Sequence, residues 1–168
     1  VYELKDLKEA LATYISRAAE KLRRQYCAAS FIDVFVVTNG FKNEKYAYNP
    51  QSAHRHFILP NATSNTNEFI KYALPLIEML YTPGLKYLKA GIILSGIVPD
   101  NSIQGNLFVE DAAKQQRILM NTIDNINFSQ RDDIIKYAAS GLKRNWKMRQ
   151  ELRSKRFTSR WNELFEIK

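Results

Sequence analysis

The chain has 168 residues, the length of one domain or two small ones; 45% are hydrophobic, and 25 Lys plus Arg against 17 Asp plus Glu give a net charge of +8. That balance points to a polyanionic partner, nucleic acid before an anionic membrane surface. One cysteine, Cys27, excludes an internal disulfide and fits a reducing, cytoplasmic compartment. No apolar run reaches transmembrane length, and no charged-then-apolar leader opens the chain, so no membrane partner is expected. The first residue is Val1, not Met, which reads as a piece whose N-terminal part was removed.

The first element is a helix over Asp6 to about Gln25. Asp6-x-x-Glu9 has the form of a capping box. Leu7, Leu11, Tyr14, Ile15, Ala18 and Leu22 recur at spacings of three and four and make an apolar face. Lys8, Arg17, Glu20, Lys21, Arg23 and Arg24 lie mostly on the other, solvated face. A strand follows over Ala28 to Thr38, turned by Asn39-Gly40. A loop with Lys42 and Lys45 leads to a second strand, His54 to Leu59, closed by Pro60. Asn65-x-x-Glu68 caps a second helix, in which Pro75 predicts a kink or a broken first turn. Pro83-Gly84 ends it, and Tyr87 to Val98 is a third strand. The order helix, strand, strand, helix, strand predicts an α+β fold: a small mixed sheet covered on one face by two helices. The other face is left for solvent or a ligand.

Pro99-Asp100-Asn101 ends the third strand, and a surface linker over 100–109 follows. It carries Gln104, Leu107 and Phe108, a polar anchor before two adjacent apolar groups. Exposed apolar side chains on a linker imply something that covers them, the chain itself or a partner. A third helix runs from Glu110 to about Asn125, with Ala113, Ile118, Leu119, Thr122 and Ile126 as its apolar side. Ile134 to Ala139 is a short strand or turn. Residues 142–160 are strongly basic, with eight Lys and Arg against Glu151 alone, a local net of +7. The region 110–168 is thus a mainly helical, basic C-terminal segment with aromatics interleaved.

No catalytic constellation emerges. His54 and His56, at i and i+2, would share one face of a strand, where ligation is geometrically possible. Without a nearby Cys or paired carboxylate they read as exposed strand histidines. Cys27 reads as a buried apolar residue at the helix end. Phosphate-binding glycine loops and metal carboxylate pairs are absent. No cofactor is expected for this stretch.

Three stretches carry a family resemblance. They are Tyr14-Ile15-Ser16-Arg17-Ala18-Ala19-Glu20-Lys21-Leu22-Arg23, then Tyr87-Leu88-Lys89-Ala90-Gly91-Ile92-Ile93-Leu94, and the tail from Gly141 to Trp161 with Trp146-Lys147-Met148-Arg149. Together they resemble the C-terminal part of a Y-family translesion DNA polymerase, the UmuC-like catalytic subunit of DNA polymerase V. The tail is similar to the family's W-K-M-R…L-S-P-x-Y-T-T-x-W pattern, with Lys155 for Pro and Phe157 for Tyr. Gln104 to Phe108 is similar to a Gln-Leu-x-Leu-Phe sliding-clamp motif, with Gly105 in place of Leu.

The resemblance implies a little-finger DNA-binding domain over 1–99, a linker with the clamp motif over 100–109, and the basic C-terminal domain of UmuC-type chains over 110–168. The family's little finger opens with a strand before its first helix; at most Val1-Tyr2 remains of it, so the sheet lacks a strand or exposes an edge. The palm and its carboxylates are missing, so this stretch is not an enzyme, while the parent polymerase would use Mg. The implied partners are duplex DNA, the sliding clamp, and a UmuD-like regulatory subunit or the recombinase filament. Phosphate contacts fall to Lys42, Lys45, Arg55 and Lys89, with ordinary solvated charges as the alternative. Clamp contacts fall to Gln104, Leu107 and Phe108, with packing against the chain's own helices as the alternative. In the tail, Arg144, Trp146, Lys147, Arg149, Arg156, Arg160 and Trp161 could meet DNA or a partner. The two tryptophans read first as the core of a small domain and second as base-stacking groups. A free-standing RNA-binding sheet is a further reading, weakened because no strand carries an RNP-type aromatic signature.

Overall fold

The computed structural model describes residues 1–38, 51–103, 113–130, 134–142, 146 and 153–164. Helix α1 spans Leu4–Arg24, two residues earlier than the sequence predicts. Its N-cap is Glu3, without a side-chain bond, and Asp6 lies in the first turn instead of capping it. Acidic charge there still favours the helix dipole, as Lys21, Arg23 and Arg24 do in the last turn. The helix stops where Tyr26 takes a left-handed backbone (φ 53).

Strand β1 spans Cys27–Thr38, β2 Ser52–Thr63 and β3 Tyr87–Pro99. The sheet order is β2-β1-β3, and both pairings are antiparallel. The expected α+β class holds, with the correction that the described sheet is antiparallel throughout. The crossover through α2, Thr66–Leu80, does make β2 and β3 run the same way, but β1 is inserted between them. Pro60 does not close β2. The register jumps from Ala29↔Thr63 to Phe31↔Ile58, so residues 59–62 lie opposite Ser30 alone. A missing N–H is harmless within such an irregularity on an edge strand.

The cap of α2 is as the sequence predicts, with Asn65 accepting from the Asn67 N–H at 3.0 Å. Pro75 neither breaks the helix nor shortens it. It lies on the exposed side, where the carbonyl it strands can meet water. Leu7, Leu11, Ile15 and Leu22 of α1 meet Phe69, Ala73, Leu76 and Ile77 of α2 over Ile32, Val34 and Val36 of β1. Each large side chain in that core is worth about 1.5–3 kcal/mol of burial. Beyond β3, Val1 and Tyr87 exchange two main-chain bonds of 3.0 and 2.8 Å, a one-residue remnant of pairing on the β3 edge.

The C-terminal segment packs on α1 and also reaches the ends of the sheet, with Arg117 paired to Asp100 after β3 and Gln116 bonded to Asn65 after β2. Helix α3 spans Ala113–Ser129, and a 3₁₀ turn spans Ala138–Ser140. The expected apolar side of α3 faces out: Ile118 is 60% exposed and Leu119 52%. Met120, Ile123, Asp124 and Asn127 turn inward instead. Correspondingly, Arg23, expected on a solvated face, has a side chain only 6% exposed and paired to Asp124. Cys27 is half-buried at the start of β1 rather than fully buried. Among the described residues no helix is long and apolar enough to cross a membrane.

Candidate nucleic-acid interface

Strand alternation decides what the uncovered face presents. Ile32, Val34 and Val36 point to the helices, so Phe31, Asp33, Phe35 and Val37 point away. Their partners on β2 are Ile58, His56, His54 and Ser52. Their partners on β3 are Ser95, Ile93, Gly91 and Lys89. Phe31 stacks on His56 with ring centroids 5.1 Å apart. Phe35 lies across Gly91, where an added Cβ would stand 2.6 Å from the ring. Asp33 sits mid-sheet; its Oδ1 is buried without a hydrogen bond, and His54 Nδ1 is 3.6 Å away. Ile58, Ile93 and Ile97 are more than half exposed.

This face is therefore aromatic and aliphatic at its centre, and among the described strand residues it carries one carboxylate, Asp33. Lys89, exposed and opposite Val37, is its basic residue among the described strands. Arg55 pairs with Val34, which puts it on the helix side of the edge strand, with its Nη1 donating to the His54 carbonyl at 3.1 Å. The structure thus separates Lys89 and Arg55, which the sequence reading grouped. Lys42 and Lys45 lie outside the described residues, as do Gln104, Leu107, Phe108, Arg144, Lys147 and Arg149. Ser102 closes a turn on the Pro99 carbonyl, and the chain leaves the sheet there.

Two expected site residues from distant parts of the chain, Trp146 and Lys89, line one groove. Trp146 packs edge-on against Tyr14 of α1, centroids 5.7 Å apart, and with Lys89 and Leu88 it lines an open groove of about 300 Å³ beside β3. Trp161 behaves differently. It is 89% exposed, so it is not the core of a small domain. The physical reason is composition: the described tail, 153–164, offers Phe157 and Leu164 among polar residues, too little apolar surface to bury an indole. Arg156 is engaged by Glu163, which accepts from its main-chain N–H at 2.5 Å and its Nη2 at 2.9 Å. Those donors hold the Glu163 carboxyl below its ordinary value of 4.5. Arg160 is exposed. The two histidines share the open face, and among the described residues no three His, Cys, Asp or Glu side chains converge as a metal site. Phe31, His56 and Ile93 were missed as site residues; the alternation within Phe31-Ile32-Asp33-Val34-Phe35 was the signal that could have found them.

Residues 1–107 match the impB/mucB/samB family C-terminal domain. The chain belongs to the impB/mucB/samB family. Residues 117–167 also match a second family, described as "Domain of unknown function (DUF4113)". The chain is 31% identical to the protein UmuC of Salmonella typhimurium over all of its own length and 39% of that protein. It is 30% identical to ImpB of Salmonella typhimurium (94% of this chain, 37% of that protein) and 28% identical to MucB of Escherichia coli (98% and 38%). It spans about two fifths of the length of these curated relatives. The resemblance drawn from three stretches thus extends over the whole chain.

Proposed function

We propose that this impB/mucB/samB-family chain is the non-catalytic C-terminal portion of an error-prone translesion DNA polymerase acting in SOS DNA repair. In this reading it grips damaged duplex DNA and tethers the enzyme to its sliding clamp, while the metal-dependent chemistry belongs to the rest of the polymerase. The observation that carries the proposal is the open sheet face. Two helices occupy one side of the sheet, the described residues leave the other uncovered, and Lys89 stands at one end of it. Phosphate contacts from that end would fix the duplex without reading its sequence. Gln104, Leu107 and Phe108 would dock on the clamp just after the chain leaves β3.

The test is duplex binding as a function of salt, with Lys89→Ala beside the wild type. Loss of one phosphate contact lowers the log–log salt slope by about one. Clamp capture that vanishes in the Leu107→Ala, Phe108→Ala double variant supports the tether, and capture unaffected by it removes the tether from the proposal. A second reading is a module that docks the regulatory subunit or the recombinase filament. The exposed Ile58, Ile93 and Ile97 favour it, since apolar contacts suit a protein surface. Duplex binding that is absent, or insensitive to salt, would turn the assignment to that reading.

A further inference from the structure

Residues 113–142, nearly all within or beside the region of unknown function, carry no assigned role. We propose that this segment is a brace: it locks onto α1 through Arg23 and thereby holds the β2–α2 junction that ends the edge strand of the open face. The inference does not depend on what that face binds.

The Arg23 guanidinium makes four hydrogen bonds to two different places. Its Nε and Nη2 donate to the Asp124 carboxylate of α3 at 2.6 and 2.8 Å, a two-pronged pair. Its Nη1 donates to the Ser64 carbonyl at 2.6 Å and to the Thr66 hydroxyl at 3.0 Å. Ser64 and Thr66 flank Asn65, the residue that caps α2. Asn65 is itself gripped from α3: its Oδ1 serves the cap, and its Nδ2 donates to Gln116 Oε1 at 2.8 Å. Helix α3 therefore reaches the junction twice, once directly and once through Arg23.

The dependence runs in one direction. A guanidinium 6% exposed is costly to keep without its counter-charge. With Asp124 gone, two neutral oxygens do not compensate it; the side chain swings to water, and Ser64 and Thr66 lose their donor. Further contacts give the segment a single seat. Arg24 of α1 lies over the Phe128 ring at 5.1 Å; within the segment, the Tyr137 hydroxyl donates to Met120 Sδ at 3.1 Å and ties residues 134–142 to α3. Gly141 (φ 64) passes so close to Glu9 that an added Cβ would stand 2.5 Å from the carboxylate. Tyr137 and Ala139 add apolar packing against the core, while the stripe Ile118 and Leu119 of α3 faces outward and leaves the α3 contacts polar.

Amide hydrogen exchange on the whole chain tests the brace, with wild type, Asp124→Ala and the gentler, isosteric Asp124→Asn. The expected result for Asp124→Ala is roughly tenfold to hundredfold faster exchange in α3, matching the loss of charge-assisted bonds. The Asn67 and Phe69 amides at the α2 cap should accelerate with it, and the Ile32 and Val34 amides of β1 should not. Asp124→Asn should show the same pattern at lower amplitude. Acceleration of α3 alone would overturn the proposal, because the segment would then be a passenger on α1. Equal acceleration of β1 would overturn it too, since the segment would belong to one cooperative core. No change anywhere would show that Asp124 does not hold it.

Discussion

Residues 1–99 and residues 113–142 are both helical where they touch, yet they are held by different forces. In the first region Leu11, Ile15, Phe69 and Ile77 are fully buried, and cohesion follows apolar area removed from water. In the second, Met120 is the buried hydrophobic residue among those described; Asp124 pairs with Arg23 of α1, Gln116 holds the α2 cap residue Asn65, and Tyr137 and Ala139 are only partly buried against the core. Apolar burial is non-directional and tolerates small shifts. A guanidinium fork is directional and does not. Hydrophobic periodicity therefore assigns the right buried face in α1 and α2 and the wrong one in α3.

That contrast can be broken at several points. The largest effect is expected from Phe69→Ala. It should cost about 3–5 kcal/mol and lower the melting temperature of the whole sheet domain, as followed by far-UV circular dichroism. Retained stability would mean that the apolar core is not what holds residues 1–99. Arg23→Met keeps the aliphatic stem and removes the fork. It should cost roughly 2–3 kcal/mol, felt in docking of the C-terminal segment and at the α2 cap that Arg23 also serves, and show as protease cleavage after Lys136 while the apolar core of residues 1–99 resists.

Smaller still, Ile118→Gln with Leu119→Gln should change stability by less than about 0.5 kcal/mol, because both side chains already face water. A loss of several kcal/mol in denaturant titration would show that the stripe packs after all. The smallest effect concerns the tail. The native Glu163 carboxyl titrates below its ordinary value of 4.5, so its contribution to the 156–163 turn is present above that value. The contribution is lost as pH falls through the native value. Carboxyl chemical shifts against pH should show this midpoint below the ordinary one, and Arg156→Ala should raise it. An unshifted midpoint in the wild type would dissolve the turn as a described feature.

Much of the fold was legible because local chemistry and tertiary environment agree there. Asn65 caps α2 where its sequence signature says it does. Asp6-x-x-Glu9 misled, since a capping box is only a pattern until the first turn is placed, and here Leu4 already belongs to the helix. Of the candidate site, Lys89 lies on the open face, and Arg55, assigned only by its position on the second strand, does not. Register against Val34 decides its side, and register depends on the irregularity at residues 59–62. The same uncertainty hid the stacked pair Phe31 and His56, which meet across two strands.

Length, charge, helix and strand periodicity, and the three stretches carrying the family pattern were all determined by the sequence by itself, because each depends on neighbours within a turn or two of chain. Three things were decided only by tertiary structure: the insertion of β1 between β2 and β3, the outward face of α3, and the burial of Arg23 among oxygens 41, 43 and 101 residues away. A single guanidinium looks the same in sequence whether it is solvated or locked. Its environment is assembled from segments that meet only after the sheet and its two helices have formed.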